Sequence, residues 1–199
     1  MDKPLHIIYI PGLGDDQVGS QLTAVKTWQW WKVEAELYQM HWADNEPWDD
    51  KFKRLINRID ELSRSKTIAL VGASAGATAV INAYAARKDI IIGCVLIAGK
   101  VNHPEAIGPR YRHRNPSFIT SAYSCERSLA TLNQRDRQSI LSRYGMFDEI
   151  VPLSSSKIPG AHNKIMPSFS HVITIATQIT LGAPSFMHFL KQQAKSQSV

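Results

Sequence analysis

The apolar positions of the chain fall into two rhythms that alternate along most of its length. Leu5–Ile10 is a short apolar run ended by Pro11-Gly12-Leu13-Gly14, the pattern of a strand followed by a tight turn. Ser20–Trp31 repeats Leu22, Val25 and Trp28 at near-helical spacing, and Glu34–Tyr38 reads as a second, weaker strand. Asp49–Arg64 places Phe52, Leu55, Ile56, Ile59 and Leu62 on one helical face, with acids at its start. Thr67–Val71 is a buried-type strand that runs through Gly72-Ala73-Ser74-Ala75-Gly76 into an Ala-rich helix ending near Lys88. Ile91–Ala98 is another wholly apolar strand. Residues 99–125 are rich in Gly, Pro, Arg and Asn, show no period, and read as a long loop or small lid. Glu126–Asp136 then predicts a helix, Ser139–Tyr144 a strand and Asn163–Met166 a last strand. Ser185–Ala194 predicts a C-terminal helix after Gly182-Ala183-Pro184, and residues 195–199 read as frayed.

Strands alternating with helices imply βαβ units. The expected architecture is α/β: a doubly wound, mostly parallel sheet of about six strands with helices on both faces. The rhythm resumes after the weak joints at 99–125 and Ser154–Pro159, so residues 1–199 are read as a single domain, a normal size for one core.

Composition removes several classes. Apolar residues make up 44% and charged residues 20%, which excludes a disordered or fibrous chain. The longest apolar run, Ile90–Gly99, is far shorter than the ~18 residues of a membrane-spanning helix. Met1-Asp2-Lys3-Pro4 does not begin a secretory signal. Cys94 and Cys125 form neither a disulfide framework nor a CxxC pair, so a reducing cytoplasm is expected. The net charge is +6, yet residues 1–50 hold 9 acids against 3 bases. That acidic first quarter argues against a nucleic-acid-binding surface, and Arg110, Arg112 and Arg114 read as a solvated loop. There is no HExxH, CxxC or clustered-carboxylate pattern, so no metal is expected. Gly12-Leu13-Gly14 lacks the dinucleotide fingerprint and a P-loop is absent, so no cofactor is expected.

The chemistry concentrates at Gly72–Gly76, a G-x-S-x-G pattern between a strand and a helix. Such a turn projects the serine above the sheet edge. The glycines let strand and helix approach, and the free N–H groups of the helix start face the same spot. Ser74 is therefore the candidate nucleophile. A serine hydroxyl needs a base, and the base needs an orienting acid, in the chain order Ser, Asp or Glu, His. Asp148 follows the strand Ser139–Tyr144, and His171 follows the last strand, so both fall on loops leaving strand ends. Glu149 and Asp136 rival Asp148. His162 rivals His171 but sits at the wrong end of the sheet if it leads into the last strand. His103 and His113 lie in the lid segment.

These pieces together resemble a small member of the α/β-hydrolase superfamily: Pro11-Gly12-Leu13-Gly14-Asp15 after the first strand, Gly72–Gly76, Asp148-Glu149-Ile150-Val151-Pro152, and the late His171. The Gly-Leu-Gly-Asp turn is also similar to that of acyl-protein thioesterases and related carboxylesterases. The chain departs from those proteins at Pro11, at Ala75-Gly76-Ala77 and at Ser170. The resemblance implies Asp148 as acid, His171 as base and a strand order of 2-1-3-4-5-6. Strands 1 and 3 are then neighbours whose connections leave in opposite directions, which opens a crevice at their C-terminal ends. The backbone N–H groups of Leu13 and Ala75 are the expected oxyanion donors.

The five tryptophans cluster early. Trp28, Trp30 and Trp31 read as helix packing, and Trp42 and Trp48 are placed to wall an acyl or aromatic pocket. The expected function is a serine hydrolase that cleaves a small-molecule carboxylic ester or thioester through an acyl-enzyme. An acyltransferase using the same intermediate, or a catalytically silent binding module on the same fold, are the alternatives. Oligomeric state is not legible.

Overall fold

The computed structural model describes residues 3–197. Met1 and Asp2, used above in looking for a leader, and the last two residues of the segment expected to fray, lie outside the described residues. Six strands form one sheet: β1 (Leu5–Ile10), β2 (Glu34–Leu37), β3 (Thr67–Ala73), β4 (Ile91–Ile97), β5 (Ile140–Gly145) and β6 (His162–Met166). Every neighbouring pair is parallel and the order is β2-β1-β3-β4-β5-β6.

The alternation of strand side chains divides the core in two. Ile8, Ile10, Ile68, Leu70, Cys94 and Leu96 point to one face of the sheet. That face is covered by α2 (Trp48–Ser63), α3 (Gly76–Ala86) and α5 (Pro116–Thr131). Ile7, Tyr9, Ala69, Val71, Val95 and Ile97 point to the other. It is covered by α1 (Gly19–Thr27), α8 (His171–Ile179) and α9 (Ala183–Gln197). A bulge in β4 interrupts the pattern: Ile68 pairs with Ile91 and Leu70 with Cys94, so β4 holds one extra residue there. Among the described residues no helix is long and apolar enough to cross a membrane.

Several expectations are corrected. The segment 99–125 is not a single loop. Pro104–Ala106 forms a 3-10 turn, α4 spans Pro109–Arg114, and the rest belongs to α5, a core helix. The helix expected at Glu126–Asp136 is the end of α5, a break at Leu132-Asn133, and α6 (Gln134–Gln138), which Asn133 caps. Helix α8 was not expected; nor was α7 (Leu153–Ser156), in the stretch read as a weak joint. Trp28 is fully buried against Tyr9 and Phe186, but Trp30, expected to pack, is 74% exposed, because the chain turns 3-10 at Trp28–Trp31 and moves it off the core face. Helix α9 continues past residue 195, where fraying was expected to start.

Candidate active site

The site lies at the C-terminal ends of the strands, where β1 and β3 are adjacent and their connections leave toward opposite edges. Ser74 follows β3 directly and has a φ of 50°, the left-handed region. A non-glycine residue held there is strained, and the surroundings must fix it. They do so from both sides. Its N–H donates to the Ile97 carbonyl at 2.9 Å, and its own carbonyl accepts from Lys100 N–H at 3.3 Å. Helix α3 then starts beneath the hydroxyl.

Asp148 leaves the end of β5, and His171 opens α8 after β6. The three side chains form a continuous chain. His171 Nε2 is 3.0 Å from Ser74 Oγ, and His171 Nδ1 is 2.8 Å from Asp148 Oδ2. With Nδ1–H donating to the carboxylate, Nε2 keeps its lone pair for the serine proton. The Asp148 carboxylate is almost wholly buried, at 1% side-chain exposure. Burial pushes its pKa up, but the hydrogen bond from His171 and the N–H groups of Val151 and Ile150, at 2.7 and 2.9 Å, outweigh it and hold the carboxyl below its ordinary range.

Glu149, the rival acid, has a different place. It accepts the His171 backbone N–H at 2.9 Å and the Ser170 hydroxyl at 3.2 Å, so it caps the helix that carries the imidazole. Its own backbone N–H and that of His171 hold its carboxyl below the usual value. Asp136 caps α6 and meets Lys88, remote from Ser74. His162 starts β6, at the opposite end of the sheet, with its ring against Phe189. His103 lies 3.3 Å from Glu105, and His113 is exposed on α4.

The turn after β1 lies across from Ser74. It comes so close that a Cβ on Gly12 would sit 2.8 Å from Ser74 Cβ. Among the described residues, the backbone N–H groups of Leu13 and Ala75 have no hydrogen-bond partner. Both residues line the space beside Ser74.

Trp42 and Trp48 do not line that space. Both are buried in the core, stacked on each other with centroids 6.1 Å apart, because Trp48 begins α2 and Trp42 tucks under the turn. The pocket-wall expectation for this pair is therefore corrected. Instead, Trp42 Nε1–H donates to the Pro11 carbonyl at 3.2 Å. The buried Asp15 carboxylate accepts the His41 and Trp42 N–H groups at 2.6 and 3.2 Å. These bonds fasten the Pro11–Asp15 turn to the Met40–Trp42 segment. Sequence reasoning missed Asp15; the acid at the end of the Gly-Leu-Gly turn was its only signal. Trp42→Phe keeps the buried ring and removes only the N–H bond to Pro11. It is expected to cost about 1 kcal/mol of stability and to lower kcat about tenfold through a loosened turn, with the acyl-chain preference unchanged. Denaturant unfolding and kinetics over an acyl series check this; a shifted chain-length preference would restore the pocket-wall reading.

Two cavities meet at Ser74. An open cleft of ≈ 460 Å³ runs over Gly12, Leu13, His171, Val172 and Ile175. A narrower recess of ≈ 110 Å³ lies on the other side, against Ala75, Ile107, Phe118 and Pro152. Tyr111 and Ile150 border both. Phe147 and Phe169, which precede Asp148 and His171 by one and two residues, are exposed and stacked 5.3 Å apart.

No protein-family model matches the chain, and no curated protein matches it. Solved structures do. One of the metagenome-derived lipolytic enzymes LipS and LipT superposes with a TM-score of 0.69 at 11% identity, over 96% of this chain and 95% of the other. Est1E from Butyrivibrio proteoclasticus gives 0.67 at 16% identity, over 96% and 88%. The Paleococcus ferrophilus monoacylglycerol lipase gives 0.66 at 14% identity, over 97% of both chains. With the six-stranded parallel sheet and the elbow after β3, this likeness defines the chain as an α/β-hydrolase fold.

Proposed function

We propose that this protein is a serine hydrolase that cleaves a carboxylic ester or thioester. The observation that carries the reading is the unbroken Ser74–His171–Asp148 hydrogen-bond chain, at 3.0 and 2.8 Å, beside two unpartnered backbone N–H groups. Ser74 Oγ attacks the carbonyl carbon while His171 Nε2 takes its proton. Asp148 orients the imidazole and balances the charge it gains. The carbonyl oxygen becomes an oxyanion held by Leu13 and Ala75 N–H. His171 then protonates the leaving alcohol or thiol, and an acyl-Ser74 remains. A water entering from the open cleft is deprotonated by His171 and releases the acid.

The structural neighbours include a lipolytic enzyme and a monoacylglycerol lipase, which favours an ester over an amide. The apolar cleft lining at Leu13, Val172 and Ile175 suits an uncharged leaving group. Cys94 and Cys125 are buried and unpaired, which suits a reducing compartment such as the cytoplasm. An aryl fluorophosphonate probe tests the reading. It should label the folded protein at Ser74 alone, and Asp148→Asn should slow the labelling. A folded protein that takes up no probe would point to the silent binding module instead.

A further inference from the structure

Resting on the hydrolase reading, we propose that the recess beside Ser74 receives a short acyl group ending in a carboxylate, recognised by Lys100, so that the preferred substrates are monoesters of small dicarboxylic acids.

Direction comes first. His171 must protonate the leaving group, and it lines the open cleft but not the recess. The leaving group therefore occupies the cleft, and the acyl chain is directed into the recess. That recess is narrow, at ≈ 110 Å³ against ≈ 460 Å³ for the cleft, which favours a short chain.

Its wall is apolar at Ala106, Ile107, Phe118, Val151 and Pro152, yet it contains Lys100. Lys100 is 7% exposed. Its ammonium donates to the His103 carbonyl at 2.9 Å and to Ser155 Oγ at 2.7 Å. An ammonium has three donors, so one remains. No carboxylate among the described residues lies within ion-pair distance of it. Glu105, whose field reaches it, is exposed and lies 3.3 Å from His103 Nδ1. Burial pulls the Lys100 pKa down, the expected sign for a cation without a counter-ion.

A buried, unpaired cation is costly, and fastening one loop to another does not require a charge. A neutral side chain could join His103 and Ser155 equally well. A carboxylate on the substrate would supply the missing acceptor and counter-ion together. The position of Lys100 is also fixed closely, because its N–H donates to the Ser74 carbonyl. With its backbone anchored beside the elbow and its ammonium held by His103 and Ser155, the cation has a fixed place, as a ruler for acyl length would require.

The test compares monomethyl succinate with methyl 4-methylpentanoate, a neutral ester of the same shape and leaving group, by methanol release. Wild type is expected to show kcat/KM at least about tenfold higher for the succinate monoester. Lys100→Met should collapse that ratio by a factor of ten or more, and Lys100→Arg should keep part of it. If Lys100 only buttresses the loop, Lys100→Met lowers both substrates in proportion and the ratio stands, which overturns the proposal. Should Lys100→Met fail to fold, product inhibition of the wild type decides: free succinate must inhibit competitively and more strongly than 4-methylpentanoate, and the reverse order overturns the proposal. Turnover of the neutral ester with no preference for the anionic one removes this inference and leaves the hydrolase reading standing. No turnover of either ester by a protein that the fluorophosphonate labels at Ser74 removes this inference alone, and no turnover together with no labelling removes both.

Discussion

Ser74→Ala is expected to leave a folded protein whose ester hydrolysis is slower by at least about 10³-fold. The reason is the narrow division of labour around one oxygen. Ser74 Oγ is the partner of His171 Nε2 at 3.0 Å, and Ser74 lines the same recess as Leu13 and Ala75. On the proposed mechanism, removing the hydroxyl deletes the bond-forming atom but leaves the proposed oxyanion donors, so a residual rate over water remains. The cost to folding is small, because the side chain is only half-buried and alanine occupies the left-handed backbone about as well as serine. Kinetics on a short-chain nitrophenyl ester, read beside the melting temperature, check both halves. Because the three side chains act as a unit, His171→Ala should be similarly slow, and the double variant no slower than either single one. A Ser74→Ala protein within a few-fold of wild type would mean that the hydrolysis comes from elsewhere.

The sheet and the elbow were readable because their residues serve one purpose each. β1, β3 and β4 are buried on both faces, so they appear as nearly continuous apolar runs, with His6 the one polar residue inside β1. The elbow glycines mark contacts that only hydrogen tolerates. The elements that escaped notice mix purposes. α5 builds its core face from Phe118, Ala122, Cys125 and Leu129 with buried Ser117 and Ser121 between them. Ser121 is a hydrogen-bonding partner of Thr78 and Asn82 on α3. Two of its six buried residues are serines, which thins the apolar face to Phe118, Ala122, Cys125 and Leu129 and weakens the periodic signal. α8 fails for the opposite reason. Its Val172-Ile173-Thr174-Ile175 run is β-branched and suggests a strand, while Val172 and Ile173 stay exposed, Val172 lining the cleft. Trp42 and Trp48 show a further limit. The sequence placed them on the correct side of the sheet, but whether an aromatic there faces the core or a pocket depends on the side-chain packing of α2 and Phe118.

Gly76→Ala is expected to destabilise the protein strongly, against what local preference predicts. Gly76 is the first residue of α3, and in a helix an alanine is favoured over glycine by about 1 kcal/mol. Tertiary contact overrides that gain. A Cβ on Gly76 would stand 2.1 Å from the Ile10 carbonyl oxygen and 2.6 Å from that of Pro11. These are backbone atoms, so no rotamer change can move them aside. Ile10 is paired with Gly72 in the β1–β3 ladder, and Pro11 leads into the turn that carries Leu13. Either α3 retreats from the sheet and carries the elbow with it, or the end of β1 shifts and takes Leu13 along. Overpacking a tight core typically costs about 1–3 kcal/mol, occasionally more; with two rigid backbone obstacles this site belongs at the upper end. The net loss should therefore exceed about 2 kcal/mol in denaturant unfolding, and the fraction that folds should be nearly inactive. Gly19→Ala is the control: it lies at the start of α1, with nothing within 4 Å of its Cβ position, and it should be neutral or stabilising. If Gly76→Ala unfolds at the wild-type denaturant concentration, α3 does not approach β1 this closely, and the placement of Ser74 against Leu13 loses its support.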